Sequence, residues 1–208
     1  MLFWHTPFLI NKTTECIRQR PATATVGATT LKKNFPKTTE NMATELHNLS
    51  DYDPAVTPSG KNKRVGIVYA EWNPEITYAL RDGAIKTLID NDVNKEDITV
   101  ASVPGSFELI YGAAQMAKSK RYDSIIAIGC VIRGDTPHFD YICEGVTAGL
   151  SRLNVEYDTP VIFGLITTNN LQQARERSGG RLGNKGDECA VTALQMMGRE
   201  WQGRHNED

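Results

Sequence analysis

Short apolar runs alternate with longer amphipathic stretches from residue 64 onward. Residues 64–70, RVGIVYA, have the length and β-branched content of a strand that is covered on both faces. Residues 74–91 then repeat apolar residues at helical spacing. The same reading predicts further strands at residues 98–103, 124–132 and 161–166, and helices at residues 106–118, 137–155, from 171 and at 187–201.

This alternation predicts an α/β fold, because strands joined by helices of this length form right-handed crossovers and a parallel sheet. We expect a single three-layer α/β/α domain with a four-stranded parallel sheet. Ligands of such sheets bind beyond the carboxyl ends of the strands. The segments that should form a site are therefore residues 71–73, 104–108, 133–138 and those from 163 onward.

Composition excludes several classes of protein. The chain is 40% hydrophobic and 23% charged, which is typical of a globular protein. Its net charge of −2 does not indicate the basic surface of a nucleic-acid-binding protein. The longest nearly apolar run, residues 125–132, is far shorter than the roughly 20 residues of a membrane span. The widely spaced cysteines indicate reduced cytosolic thiols and no structural metal site; they are Cys16, Cys130, Cys143 and Cys189.

The first 41 residues differ from the rest of the chain. They carry six basic and two acidic residues, are rich in threonine and show no sustained apolar period. Three interpretations are open: an organelle transit peptide, an unstructured tail, or upstream sequence that precedes a true start at Met42. We favour Met42. Residues 42–63 are then expected to form an extended arm, and residues 64–208 the folded domain.

The segment after the third strand is chemically the most informative. Gly134 allows a turn, Thr136 can cap a helix, and Pro137 suits a first helical position, so the segment should present free N–H groups to an anion. His138 follows directly and is the only histidine between residues 64 and 200. It is a candidate for proton transfer, although a capping turn with an incidental histidine is the alternative.

Three other segments carry candidates. Ser106 and Glu108 begin a predicted helix and suit a polyhydroxyl chain or a heterocycle edge, unless they serve only as a helix cap. Trp72 stands at a strand-to-helix turn, where an aromatic ring can stack on a planar ligand. Considered alone, Trp72 and Phe163 are more typical of a core.

Residues 177–186 form a glycine-rich stretch without P-loop spacing. Arg177, Arg181 and Lys185 make it a candidate phosphate clamp, with a solvated loop as the alternative. No GxGxxG motif follows the first strand, so a dinucleotide-binding site is not indicated. Cys130 has no obvious general base beside it in the sequence, so a catalytic cysteine is not indicated either.

Four blocks, in order, resemble the lumazine synthase family of riboflavin biosynthesis. They are GCVIRGDTPHFDY at residues 129–141, PGSFELIYGA at 104–113, PVIFGLITTNN at 160–170 and GNKGDECAVTAL at 183–194. The resemblance covers about residues 64–200, and the stretch from Met42 is similar to the start of bacterial members. It implies a flavodoxin-like sheet and a transferase without metal or cofactor. The implied reaction condenses 5-amino-6-(D-ribitylamino)uracil with 3,4-dihydroxy-2-butanone 4-phosphate to 6,7-dimethyl-8-ribityllumazine, phosphate and water.

The resemblance also implies a role for each matching residue. His138 would transfer protons, and Lys185 would assist near the phosphate. The substrate-binding set would be Trp72 on the pyrimidine, Ser106, Phe107 and Glu108 on the ribityl chain, Cys130, Val131 and Ile132 on the uracil, Asp135, Thr136 and Arg177 on the phosphate, and Phe163. In the family, the residues matching Phe163, Arg177 and Lys185 come from a neighbouring subunit.

The resemblance implies a homopentamer, because members of the family form pentamers. It permits a 60-subunit icosahedral shell, because residues 177–185 lack the insertion found in the pentamer-only members. The expected location is the cytoplasm, or a plastid if residues 1–41 are a transit peptide. Two rival functions remain at this point: a non-catalytic flavin- or nucleotide-binding module on the same fold, and a shell protein without activity. The second is disfavoured by the intact set of His138, Arg177 and Lys185.

Overall fold

The computed structural model describes residues 48–199 and confirms the predicted α/β architecture. The elements are β1 (Val65–Ala70), α1 (Pro74–Asp90), a 3₁₀ turn (Lys95–Asp97), β2 (Ile98–Val103), α2 (Leu109–Lys118), β3 (Ser124–Ile132), α3 (His138–Glu156), β4 (Val161–Thr168), α4 (Leu171–Glu176), β5 (Ser178–Gly180), β6 (Gly183–Asn184) and α5 (Lys185–Met197). The four-stranded sheet is parallel throughout, in the order β2-β1-β3-β4.

Each face of the sheet has its own apolar core, because alternate strand residues point to opposite sides. Ile67 and Ile126 belong to the cluster beneath α1 and α5, whereas Val68 and Ala127 belong to the cluster beneath α2 and α3. All four side chains are fully buried. The sequence reads as apolar runs in β1 and β3 because these strands are covered on both faces.

Strand β2 departs from that rule. It is an edge strand, and its four central residues are exposed, including Val100 at 41%. Among residues 48–199, no strand pairs with its outer edge, where backbone N–H and C=O groups can pair with a further strand.

Several predicted boundaries were wrong by a few residues. Helix α2 begins at Leu109, because residues 106–108 form a turn whose Leu109 N–H donates to the Ser106 carbonyl at 3.3 Å. Helix α3 begins at His138, so Thr136 does not cap it and Pro137 precedes the first helical position. The last helix begins at Lys185 and ends at Met197. The predicted end at residue 201 lies outside the described residues.

The glycine-rich stretch is not a plain loop. Ser178–Gly180 and Gly183–Asn184 pair as a small antiparallel hairpin, which places Lys185 at the start of α5. Glycine is required at residue 183, where φ is +81° and a Cβ atom would lie 2.0 Å from Oδ1 of Asn48.

Residues 48–63 contain turns and no helix or strand. They lie against the body of the fold: Leu49 N–H donates to the Leu182 carbonyl at 2.8 Å, and Gly60 N–H donates to the Asn91 carbonyl at 2.7 Å. Residues 1–47, which include the predicted leader and the beginning of the predicted arm, lie outside the described residues. No helix between residues 48 and 199 is long and apolar enough to cross a membrane.

Candidate active site

A cavity of about 550 Å³ opens at the carboxyl ends of β1, β2 and β3. This is where the predicted fold places a ligand. Its walls come from the segments after these three strands and from the first turns of α3. The lining residues are Trp72, Asn73, Gly105, Ser106, Phe107, Glu108, Cys130, Val131, Ile132, Gly134, Thr136, His138, Phe139 and Ile142.

The segment after β1 provides a flat aromatic wall. Trp72 is 71% exposed, so the interpretation that it belongs to the core was wrong. An indole this exposed gains little from burial within its own chain and has a free face for a planar ligand. The next residue, Asn73, holds a left-handed backbone and donates from Nδ2 to the Cys130 carbonyl oxygen at 3.1 Å.

The segment after β2 supplies groups of different character. Ser106 is only 8% exposed, and its Oγ lies 3.5 Å from the same Cys130 carbonyl oxygen. Phe107 is half exposed, and its ring lies beside Gly145, where a Cβ atom would come within 2.9 Å of Cε2. Glu108 occupies the N-cap position of α2, but its side chain makes no capping hydrogen bond. The cap interpretation therefore does not account for its carboxylate.

The end of β3 forms the back wall through its main chain. Cys130 is buried, and burial raises the pKa of its thiol to about 12, so the sulfur is a neutral group at physiological pH. Gly129 allows the β2 segment to approach, because a Cβ atom there would lie 2.9 Å from Ser106 Oγ. What this strand offers a ligand is backbone N–H and C=O groups.

The loop from β3 to α3 places His138 at the mouth of the cavity, on the exposed first residue of the helix. Gly134 has open space around it, which leaves room for a ligand beside the loop. Arg133 anchors this loop: its guanidinium donates to Asp140 at 3.0 Å and to Asn169 at 3.3 Å. Asp135 is exposed but does not line the cavity.

Three predicted site residues lie elsewhere in the chain. Phe163 was expected after the fourth strand, but it is the third residue of β4 and pairs with Ala127, well before the carboxyl end. It lines a separate cavity of about 280 Å³ together with Lys185. The two cavities share no lining residue. Phe163 is 39% exposed, so it is not a core residue of this chain.

The remaining cations lie in or next to the hairpin. Arg177 directly follows α4, and its carbonyl accepts the Lys185 N–H at 2.9 Å, so the two residues are joined through the backbone. The Lys185 ammonium pairs with Glu188 one turn along α5. Arg181 lies on the outside of the hairpin and pairs with Glu176 at 3.4 Å.

Sequence reasoning missed part of the cavity wall. Phe139 and Ile142 line it from α3, and the four-residue spacing between His138 and Ile142 was the signal that could have identified one of them. Asn73 lies in the predicted site segment 71–73, but no role was assigned to its side chain. Within residues 48–199, no three His, Cys, Asp or Glu side chains are grouped so that they could hold a metal ion.

Comparison with known proteins agrees with this geometry. Residues 62–200 match the family model described as 6,7-dimethyl-8-ribityllumazine synthase. Proteins of that name are 60% identical in Phocaeicola vulgatus, over 75% of this chain and 93% of the relative, and 57% identical in Porphyromonas gingivalis, over 76% and 99%. A third, from Flavobacterium johnsoniae, is 54% identical over 74% of this chain and 82% of its own length. This chain therefore belongs to the 6,7-dimethyl-8-ribityllumazine synthase family.

Proposed function

We propose that this protein condenses 5-amino-6-(D-ribitylamino)uracil with 3,4-dihydroxy-2-butanone 4-phosphate to give 6,7-dimethyl-8-ribityllumazine. The observation that carries this proposal is the family match over residues 62–200, which includes every segment of the cavity wall. The amine of the uracil attacks the ketone and forms an imine with loss of water. Phosphate then leaves, and the second nitrogen closes the pyrazine ring with loss of a second water.

The cavity suits the uracil substrate. Trp72 would stack on the pyrimidine, and the backbone of Cys130, Val131 and Ile132 would bind its polar edge. The ribityl chain would extend past three side chains of the β2 segment, and these are Ser106, Phe107 and Glu108. Fixing two reactants side by side supplies several kcal/mol of entropic advantage, on the order of 7–11 kcal/mol at best, so positioning accounts for most of the proposed catalysis.

The phosphate and the proton transfers involve the loop and the hairpin. Backbone N–H groups of Asp135 and Thr136 would bind the phosphate, and Arg177 would pair with it. His138 would carry the protons released by the amine and taken up by the leaving water. Lys185 would assist as a further positive charge near the phosphate.

We also propose that the complete site lies between two chains of a homopentamer, in which Phe163, Arg177 and Lys185 come from the neighbour. Two observations support it. These residues lie apart from the main cavity within one chain. The exposed edge strand β2 also leaves a face for another subunit. Twelve pentamers could assemble further into a 60-subunit shell, which sedimentation of the purified protein would distinguish from a free pentamer.

The test mixes the full chain with both substrates and follows lumazine absorbance against an enzyme-free blank. A rate above the blank and proportional to protein is expected; a rate equal to the blank from a folded oligomer would refute the activity. A second sample that begins at Met42 tests whether residues 1–41 are dispensable and should be equally active. We propose that the protein is cytoplasmic. A fluorescent fusion to the full chain would instead be found in plastids if residues 1–41 act as a transit peptide.

A further inference from the structure

One strained residue stands in the wall of the cavity. Among residues 48–199, four non-glycine residues have a positive φ: Asn62, Asn73, Asp92 and Lys120. Of these, Asn73 alone lines the cavity. Its φ of 59° and ψ of 56° lie in the left-handed region, which asparagine tolerates better than most side chains. Such a conformation at a cavity wall persists only where its surroundings hold it.

The side chain of Asn73 does not cap helix α1. Asn73 is the N-cap residue of α1, where an asparagine usually accepts a hydrogen bond from the first turn, yet it makes no side-chain capping bond. Its Nδ2 instead donates to the Cys130 carbonyl oxygen at 3.1 Å, 57 residues further along the chain. The amide is thus committed to the end of β3.

The Cys130 carbonyl oxygen in β3 is contacted by side chains from the segments that follow β1 and β2. Asn73 reaches it from the end of β1, and Ser106 Oγ approaches it at 3.5 Å from the segment after β2. The left-handed turn at Asn73 also fixes where the chain leaves β1, and the exposed indole of Trp72 is the residue just before it. One side chain therefore connects the aromatic wall of the cavity to the polar main chain at its back.

We propose that Asn73 is a positioning residue of the condensation. Its amide orients the Cys130 carbonyl, and its left-handed backbone orients Trp72, so that both groups are already oriented when the uracil binds. The inference rests on the proposed function. Because the peptide bond is planar, a donor that holds the Cys130 carbonyl oxygen also fixes the direction of the Val131 N–H, and Val131 lines the cavity. Substrate binding should therefore depend on Asn73 more than the chemical step does.

Two variants separate the backbone from the side chain. Asn73→Gly keeps the left-handed turn and removes the donor, whereas Asn73→Asp keeps the shape and replaces the donor by a carboxylate facing the carbonyl oxygen. We expect both to raise the KM for the ribitylaminouracil roughly tenfold, with the KM for the phosphate substrate unchanged. The matched control is Asn62→Gly, at an asparagine with φ of 62° that does not line the cavity. Its KM values should equal those of the parent.

A second readout needs no substrate. Cys130–Val131 is the only Cys–Val pair in the sequence, so carbonyl-¹³C cysteine with ¹⁵N valine marks this one peptide bond in solid-state NMR of the full chain. Loss of the donor should move the Cys130 carbonyl resonance upfield in Asn73→Gly, and the Asn62→Gly control should leave it in place. The proposal is supported when the resonance and the KM for the uracil shift together.

The outcomes that overturn the proposal are distinct from failure of the proposed activity. An active parent whose Asn73→Gly variant keeps its KM within twofold would refute the positioning role. A raised KM with an unmoved carbonyl resonance would also refute it, because Asn73 would then act by touching the substrate. A parent rate equal to the blank would instead refute the activity itself.

Discussion

The side chain of Asn154 in α3 makes both hydrogen bonds that a neighbouring strand would offer to Val161 in β4. The Val161 N–H donates to Oδ1 at 2.8 Å, and Nδ2 donates to the Val161 carbonyl at 2.9 Å. Among residues 48–199, strand β4 pairs with β3 alone, so no strand in this part of the chain supplies hydrogen-bond partners at its other edge. Asn154 therefore completes the sheet at the point where the chain enters β4.

Replacing Asn154 by alanine should lower the free energy of unfolding by about 1–3 kcal/mol, because the N–H and C=O of a residue that is 4% exposed lose their partners. Denaturant unfolding at one protein concentration measures this. The control is Asn94→Ala, since Asn94 is exposed and its amide donates to the carboxylate of Asp97 three residues along the chain, at 3.0 Å. It should change stability by less than about 0.5 kcal/mol. Equal losses in the two variants would contradict the strand-like role of Asn154.

The fold was predictable because burial and sequence pattern agree. Strands β1 and β3 are covered on both faces, and their continuous apolar runs predicted them to within a residue. The start of α2 was not predictable in the same way. Ser106 can begin a helix or close a turn, and its contact with the Cys130 carbonyl, 24 residues away in sequence, lies beyond local pattern.

The site was predictable where topology alone places residues. Trp72, Ser106 and His138 follow three parallel strands, so their convergence on one cavity needed only the order of elements. Phe163 was assigned to the segment after the fourth strand, although the apolar run predicted as that strand, residues 161–166, already contained it; in the structure it pairs with Ala127 within β4. The left-handed turn at Asn73 was not predicted, and its side chain bonds to Cys130, 57 residues further along the chain.

Removing the Cys130 thiol tests whether this residue contributes to the cavity through its main chain rather than through its side chain. We expect Cys130→Ala to keep kcat/KM within about twofold of the parent, because the cavity uses the carbonyl of this residue and its buried thiol, with a pKa of about 12, is no nucleophile near neutral pH. Steady-state kinetics with both substrates measure it. In the parent protein, iodoacetamide at pH 8 should leave Cys130 unlabelled in peptide mass spectra. A hundredfold loss of activity in the alanine variant would show that the thiol takes part in the chemistry.

His138→Ala should slow the reaction without abolishing it. A well-placed histidine contributes on the order of 10²–10⁴-fold, whereas the positioning of the two substrates remains in the variant. Because His138 is exposed, the variant should fold and assemble as the parent does, which sedimentation and circular dichroism can verify. The measurement is kcat against the enzyme-free blank. Turnover that is undetectable in a correctly assembled variant would contradict the prediction.

Arg177→Ala should weaken binding of the phosphorylated substrate. A guanidinium pairs with phosphate through two parallel hydrogen bonds, so its loss should raise the KM for that substrate by roughly tenfold or more and leave the KM for the uracil unchanged. The control is Arg175→Ala, two residues earlier, whose guanidinium binds Glu75 at 2.7 and 3.1 Å. An unchanged KM for the phosphate substrate in Arg177→Ala would remove its proposed role.

A site shared between chains predicts complementation. In a head-to-tail ring, His138→Ala subunits would contribute an intact Arg177 to neighbours that carry Arg177→Ala and an intact His138. Unfolding and refolding the two variants together in equal amounts should therefore restore about a quarter of the sites to the parent arrangement. The assay is run with the phosphate substrate below the KM of the arginine variant, where each variant alone is slow. Each variant refolded alone is the control. If both residues instead served the same site from within one chain, the mixture would show only the average of the two separate rates.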